Sequence, residues 1–216
     1  MIFRNRAFQI IKHKVLYDSI LRKISGKLAR IGLAFKLYYV FKEGLFDGEK
    51  EFSLKSKDYE ITFLTPEDVQ SLDCIEGRDI TALDMHNQIS QGHKCLGIKI
   101  NGKIAGFTWC RFDVFAYPPS KGFTLRENEA YLYDMYVLNA YRGINLAPLL
   151  RYRCYQELAN IGRSVLYSVS LIPNAPAIRF KKKLDARILS LGLYVKLGNQ
   201  FRWDWKLRTY EARNSK

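Results

Sequence analysis

The chain has 216 residues, 48% of them hydrophobic, with 35 Lys/Arg against 21 Asp/Glu for a net charge of +14. That is enough for one well-cored domain plus an extension. No apolar run approaches the roughly 20 residues that span a bilayer, and Met1-Ile2-Phe3-Arg4-Asn5-Arg6 lacks the apolar core and small-residue cleavage site of a secretory signal.

The charge is unevenly spread. Residues 1–43 hold 10 Lys/Arg against 2 Asp/Glu, residues 44–139 hold 10 against 15, and residues 140–216 hold 15 against 4. Basic ends therefore flank an acidic middle, and any one of these charges reads first as part of a solvated face. Cys74, Cys95, Cys110 and Cys154 stand far apart without CxxC spacing, as buried thiols of a reducing compartment do.

In residues 1–45, Phe8, Ile11, Val15, Ile20, Ile24, Leu28, Ile31, Phe35 and Tyr38 recur mostly three or four apart, with Lys12, Lys14, Arg22, Lys23, Lys27, Arg30 and Lys36 between them. The spacing predicts a basic amphipathic helix, or two broken near Ser25-Gly26, that packs on the domain, with contact to an anionic membrane, an organellar targeting segment or a nucleic-acid arm as the alternatives. Residues 1–56 are thus read as an extension and polar joint, 57–208 as the domain, and 209–216 as a tail.

Tyr59 to Leu64 alternates as a strand, and Thr65-Pro66-Glu67-Asp68 opens a helix with Thr65 as N-cap and Pro66 at the first position. A second helix is expected over Asp79 to Ser90. His86 and His93 lack further ligands at suitable spacing, so no metal site is expected. Cys95 to Ile100 and Ile104 to Cys110 flank Asn101-Gly102, the strongest short hairpin signal.

The chain is organised around Tyr131 to Asn160. Tyr131 to Leu138 is rich in aromatic and apolar residues and reads as a buried strand. After the turn Asn139 to Asn145, Leu146, Leu149, Leu150, Tyr152, Arg153, Leu158 and Ile161 recur at helical spacing, with Pro148 in the first turn and Gly162 as the stop. A glycine-bearing turn that opens a helix offers free N–H groups and the positive end of the macrodipole, and Arg142 adds a full charge. This is an anion site suited to a phosphate. Val165 to Leu171 follows as a strand, and Ile188 to Leu197 and Gln200 to Leu207 alternate as two more around Gly198-Asn199.

Arg142-Gly143-Ile144-Asn145-Leu146-Ala147 resembles the Gln/Arg-x-x-Gly-x-Gly/Ala signature of the GNAT superfamily of N-acyltransferases, with Asn145 in place of the middle glycine. Asn174, Ala177, Phe180 and Lys183 likewise resemble a later signature, Asn-x-x-Ala-x-x-Phe-Tyr-x-Lys-x-Gly-Phe. Here Lys181 replaces the tyrosine and Asp185-Ala186 the Gly-Phe pair. The resemblance covers about residues 57–208. It implies an α/β (α+β) GNAT fold: a mixed, mostly antiparallel sheet of about seven strands flanked by helices, here with the N-terminal helical extension.

The resemblance further implies transfer of an acetyl or other acyl group from acetyl-CoA, a co-substrate, to an amine of a small molecule or sugar. Cofactor holding falls to Arg142, Gly143, Ile144, Asn145, Leu146 and Ala147, to the backbone at Tyr136 and Val137, and to Asn174 and Phe180. Asp134 is the candidate general base, with Tyr133, Glu129 and Cys110 in reserve, and Lys181 occupies the position of the usual acid, useful only with a lowered pKa. The alternative is a catalytically degenerate GNAT-fold module that binds CoA or a membrane surface. A cytoplasmic, membrane-peripheral protein is expected, with membrane contact through residues 1–45, no specific nucleic-acid partner and a homodimer left open.

Overall fold

The computed structural model describes residues 32–44, 52, 59–70, 72, 78, 80–117 and 122–210. Among them, β1 (Leu33–Glu43) and β2 (Tyr59–Phe63) precede the short helix α1 (Pro66–Gln70) and α2 (Ala82–Ser90). The hairpin β3 (Lys94–Ile100) and β4 (Lys103–Arg111), the small ribbon β5 (Val114–Phe115) and β6 (Phe123–Thr124), and the long β7 (Glu129–Val137) follow. The chain then forms α3 (Leu146–Asn160), β8 (Val165–Leu171), α4 (Ala175–Lys183), β9 (Arg187–Leu197) and β10 (Phe201–Thr209).

Local chemistry accounts for the boundaries. Thr65 and Thr81 each close a capping box, with Thr65 Oγ1 accepting from the Asp68 amide at 3.3 Å and Thr81 Oγ1 from the Asp84 amide at 3.1 Å. Asn101 and Gly102 both adopt positive φ, 49° and 73°, as a tight hairpin turn requires. Asn174 caps α4 by accepting from the Ala177 amide at 3.2 Å.

Eight strands form one sheet in the order β10-β9-β1-β8-β7-β4-β3-β2, antiparallel except for the β7–β8 pair. The expected mixed, mostly antiparallel sheet is thus present, with one strand more than anticipated. That strand corrects the reading of residues 1–45: Leu33–Glu43 is not helix but lies inside the sheet between β8 and β9. Its apolar positions fit helical spacing, but Tyr38, Phe41 and Glu43 are buried by neighbours on both sides, so tertiary pairing decides. The domain boundary drawn at residue 57 consequently misses β1. Residues 1–31, the remainder of the expected helix, lie outside the described residues, as does Cys74.

The core has two main layers. Leu146, Leu149, Leu150, Cys154 and Leu158 of α3 press on Leu96, Ile98, Ala130 and Leu132 of the sheet. The second layer sets Val69 of α1 and Met85 of α2 against Phe107 and Trp109. Arg153 and Ile161, expected on the apolar stripe of α3, are exposed, and Arg151 is buried instead. Cys95, Cys110 and Cys154 are buried free thiols. Among the described residues no helix is long and apolar enough to cross a membrane.

Candidate functional site

Two clefts meet on the α3–α4 side of the sheet. The first, about 540 Å³, lies at the N-terminus of α3 and is lined by Val137, Tyr141, Arg142, Gly143, Asn145, the first turn of α3, Arg179, Phe180 and Lys183. Gly143 and Asn145 both take left-handed backbone, φ 89° and 59°. Asparagine tolerates that region better than most residues, so the turn closes without the family's middle glycine. The Asn145 side chain makes no capping hydrogen bond, and the first-turn amides have no intrahelical acceptor. Arg142 is anchored beside them, its Nε donating to the Val137 carbonyl at 3.1 Å and its guanidinium 5.3 Å from the centre of the Tyr136 ring. Ile144 is half exposed. Arg142, Arg179 and Lys183 give this cleft three cationic walls, which suit a pyrophosphate.

The second cleft, about 270 Å³, opens where β7 and β8 part. The two strands pair in parallel only from Glu129–Leu132 to Val165–Ser168, although β7 runs on to Val137 and β8 to Leu171. The cause is a bulge. On β4, Trp109 faces Tyr133 and Phe107 faces Tyr136, so Asp134 and Met135 together oppose Thr108, with Asp134 at φ 43°. Gly106 lets β4 approach the bulged strand, since a Cβ there would stand 2.9 Å from the Tyr136 carbonyl oxygen. Beyond Leu132 the main-chain groups of β7 on the β8 side pair with no strand among the described residues, and Tyr133, Asp134 and Met135 line the cleft.

The sequence-derived candidates fall unequally around this opening. Asp134 lines it, half-buried, and its Oδ1 is ion-paired to Arg78 at 2.5 Å. Tyr133 also lines it, but its hydroxyl lies 2.5 Å from His93 Nδ1 and its ring stacks on Trp109. Burial pushes the Tyr133 hydroxyl up and the His93 imidazole down. Glu129 is occupied at the closed end of the strand pair, accepting from the Tyr167 hydroxyl at 3.0 Å and the Arg126 amide at 2.9 Å. Cys110 is fully buried; its contact with Cys154 and its burial push the thiol well up. Asn174 and Phe180 line the second cleft too, and Phe180 belongs to both.

Lys181 is only 3% exposed, and it anchors a cluster that sequence reasoning missed. Its Nζ donates to Ser168 Oγ at 2.6 Å and to the Val169 carbonyl at 3.2 Å, and lies 3.4 Å from Glu43 Oε1. Ser168 also hydrogen-bonds Glu43. The other carboxylate oxygen, Oε2, accepts from the Tyr155 hydroxyl at 2.5 Å and lies 3.5 Å from Arg151 Nε. Burial would raise Glu43, but Arg151 and Lys181 hold its carboxyl down to about 2. Burial lowers the Lys181 amine to about 8, against the opposing pull of Glu43. Arg151 was findable: it precedes Cys154 and Tyr155 by one helical turn on the buried stripe of α3.

A third cleft, about 370 Å³, lies on the β5–β6 side between Tyr38, Phe115, Tyr117, Phe123, Tyr167 and Asp204, and it shares Tyr117 with the second.

A family model described as the acetyltransferase (GNAT) family matches residues 58–185. Among solved structures, an acetyltransferase of the GNAT family from Novosphingobium aromaticivorans is similar at 18% identity and TM-score 0.51, over 76% of this chain and 66% of that one. A Drosophila protein is similar at 14% and 0.52, over 83% and 57%. A tandem GNAT protein from the clavulanic acid biosynthesis pathway is similar at 15% and 0.52, over 81% and 58%. At these identities the likeness is one of fold, and this chain spans less than two-thirds of each of those structures. No curated protein matches it. The family match covers more than half of the 216 residues and takes in both clefts that meet at Phe180, and the chain therefore belongs to the acetyltransferase (GNAT) family.

Proposed function

We propose that this protein transfers an acyl group, acetyl in the simplest case, from a CoA thioester to the amine of a small molecule or sugar. The observation that carries this reading is the junction of the two clefts at Phe180, one offering helix amides and cations, the other unpaired strand backbone and a buried amine. The α3 N-terminus with Arg142 suits the pyrophosphate, and the open edge of β7 from Tyr133 to Val137 suits the amides of the pantetheine arm and the thioester oxygen. Donors placed in advance at a developing charge are usually the largest catalytic contribution. The third cleft, joined through Tyr117, is the natural approach for the acceptor.

The thioester supplies an activated carbonyl: a C–N bond to the acceptor replaces its C–S bond, and the departing thiolate needs a proton. Lys181 is the donor in this reading, because an amine lowered to about 8 can give up a proton near neutral pH. The amine's own proton passes through water to Asp134, whose Oδ1 is steadied by Arg78. Asp134→Asn is expected to lower turnover by about 10²-fold with little change in CoA affinity; wild-type rates across pH would remove Asp134 from the role.

Calorimetric titration of acetyl-CoA into wild type and Arg142→Ala tests the reading. Binding that weakens about tenfold in the variant supports it, as loss of a charge-assisted phosphate contact should. Absence of binding to acetyl-CoA and CoA alike favours the second reading, a scaffold without catalysis, which the commitment of Asp134 to Arg78 and of the Tyr133 hydroxyl to His93 supports. The buried thiols fit a cytoplasmic setting. Membrane contact now rests on residues 1–31, since Leu33–Glu43 belongs to the sheet. Co-sedimentation with anionic vesicles is its test.

A further inference from the structure

The floor of the β7–β8 cleft carries more positive charge than the protein itself uses. Arg151 and Lys181 are 2% and 3% exposed, both line the cleft, and among the described residues one carboxylate, Glu43, lies within ion-pair distance of them. That carboxylate is saturated: Ser168 and Lys181 share Oε1, Tyr155 and Arg151 share Oε2. Lys181 spends donors on Ser168 Oγ and the Val169 carbonyl. Arg151 does not. Its Nε and Nη1 are buried and, among the described residues, donate to no acceptor, although Nε lies near Glu43. Ser170 Oγ and Tyr117 Oη, also buried without a hydrogen-bond partner among the described residues, line the same cleft.

A guanidinium withdrawn from water with donors unmet costs several kcal/mol unless something compensates it. Solvent exposure cannot, Glu43 meets only part of the demand, and the Phe180 ring, its centre 5.9 Å from the guanidinium carbon, offers a face but no acceptor for Nε and Nη1. The fork of an arginine fits a carboxylate bidentately, and a hydroxyl beside it adds a further donor. The pantetheine arm itself is neutral and answers none of the charge.

We propose that the cleft floor at Arg151, with Ser170, receives a carboxylate carried by one of the two substrates, either at the far end of the acyl group or on the amine acceptor. This rests on the acyl-transfer reading and deepens it by naming the substrate class. The position of Arg151 on α3, whose first turn forms the loop cleft, puts the floor within the path of a molecule held at that turn and passing Phe180.

The test uses the full chain. Acetyl-CoA and succinyl-CoA are titrated calorimetrically into wild type, Arg151→Lys and Ser170→Ala. With acetyl-CoA saturating, thiol release is compared for L-phenylalanine and 2-phenylethylamine, which differ by a carboxylate. An acyl-borne carboxylate gives succinyl-CoA about a tenfold advantage in wild type that shrinks in both variants. An acceptor-borne carboxylate gives the amino acid that advantage in kcat/KM instead, with the same loss. Ser170→Ala removes an unpartnered hydroxyl and leaves the Glu43 cluster whole, so its result stands even where Arg151→Lys folds poorly. Equal treatment of both pairs, with acetyl-CoA still bound, overturns the carboxylate site and leaves acyl transfer standing. Failure of every CoA ester to bind overturns the acyl-transfer reading itself.

Discussion

The loop cleft and the strand cleft share Phe180 yet are made of different materials. The loop cleft is backbone: a left-handed turn, helix amides and cations at its rim, with Arg142 and Gly143 exposed. The strand cleft ends in side chains withdrawn from water: Glu43, Arg151, Ser168 and Lys181, each at most 3% exposed. A backbone site tolerates change because its donors are not side chains, whereas a buried charge cluster stands or falls together. In the proposed acyl transfer, the first would hold the CoA phosphates and the second would meet the reacting end of the ligand.

The largest expected difference between them is in stability. Glu43→Gln leaves Arg151 and Lys181 buried without their counter-charge, which should cost about 3–5 kcal/mol in chemical denaturation. Arg142→Ala removes an exposed cation and should change stability by about 0.5 kcal/mol or less. Comparable losses in the two variants would show that the cluster is not the keystone its burial makes it. The sign with pH follows from the two shifts. Glu43, lowered from 4.5 to about 2, contributes stability that is full above the unfolded value and disappears as pH falls toward 2. Lys181, lowered from 10.5 to about 8, works the other way: below 8 its protonation costs stability, and the cost is relieved as pH rises from 8 to 10.5.

Next comes turnover. Lys181→Met should lower kcat by about 10²-fold while leaving CoA binding at the loop cleft intact. In wild type the donor must be protonated, so kcat should fall as pH rises through about 8. Glu43, Ser168, Arg151 and Tyr155 face that amine from β1, β8 and α3, and none of them is lowered or raised into that range. A kcat that is flat between pH 7 and 10 in wild type, or unchanged in Lys181→Met, would remove Lys181 from proton transfer.

The contrast also explains what could be read from the chain beforehand. The loop cleft is local: Arg142 to Ala147, Pro148 and the apolar stripe behind them are neighbours in sequence, and left-handed turns and helix starts have residue signatures. The hairpin at Asn101-Gly102 was legible for the same reason. The strand cleft is not local. Tyr155 and Ser168 reach Glu43 across 112 and 125 residues, and β1, which delivers Glu43, carries apolar side chains on both faces, Phe35, Leu37 and Phe41 on one and Ala34, Tyr38 and Val40 on the other. Such a strand loses the alternation that marks a half-buried one, and Phe35 and Tyr38 then fit a helical period equally well. The bulge at Asp134 was hidden too, since aspartate marks a left-handed residue only weakly.

The smallest expected effect tests whether the loop's departure from the family signature matters. Asn145 sits at φ 59° with no side-chain cap, so its identity serves backbone conformation alone. Asn145→Gly relieves a modest left-handed strain and adds freedom to the unfolded chain, two opposing effects that should leave stability within about 0.5 kcal/mol. Asn145→Ala keeps the strain and loses asparagine's tolerance for it, costing about 1 kcal/mol. If backbone amides hold the phosphates, CoA affinity in Asn145→Gly should stay within about threefold of wild type, measured by the same titration. A loss of tenfold or more would mean that the Asn145 side chain itself touches the ligand. The loop would then share the side-chain chemistry of the cleft beyond Phe180, and the division between the two clefts would not hold.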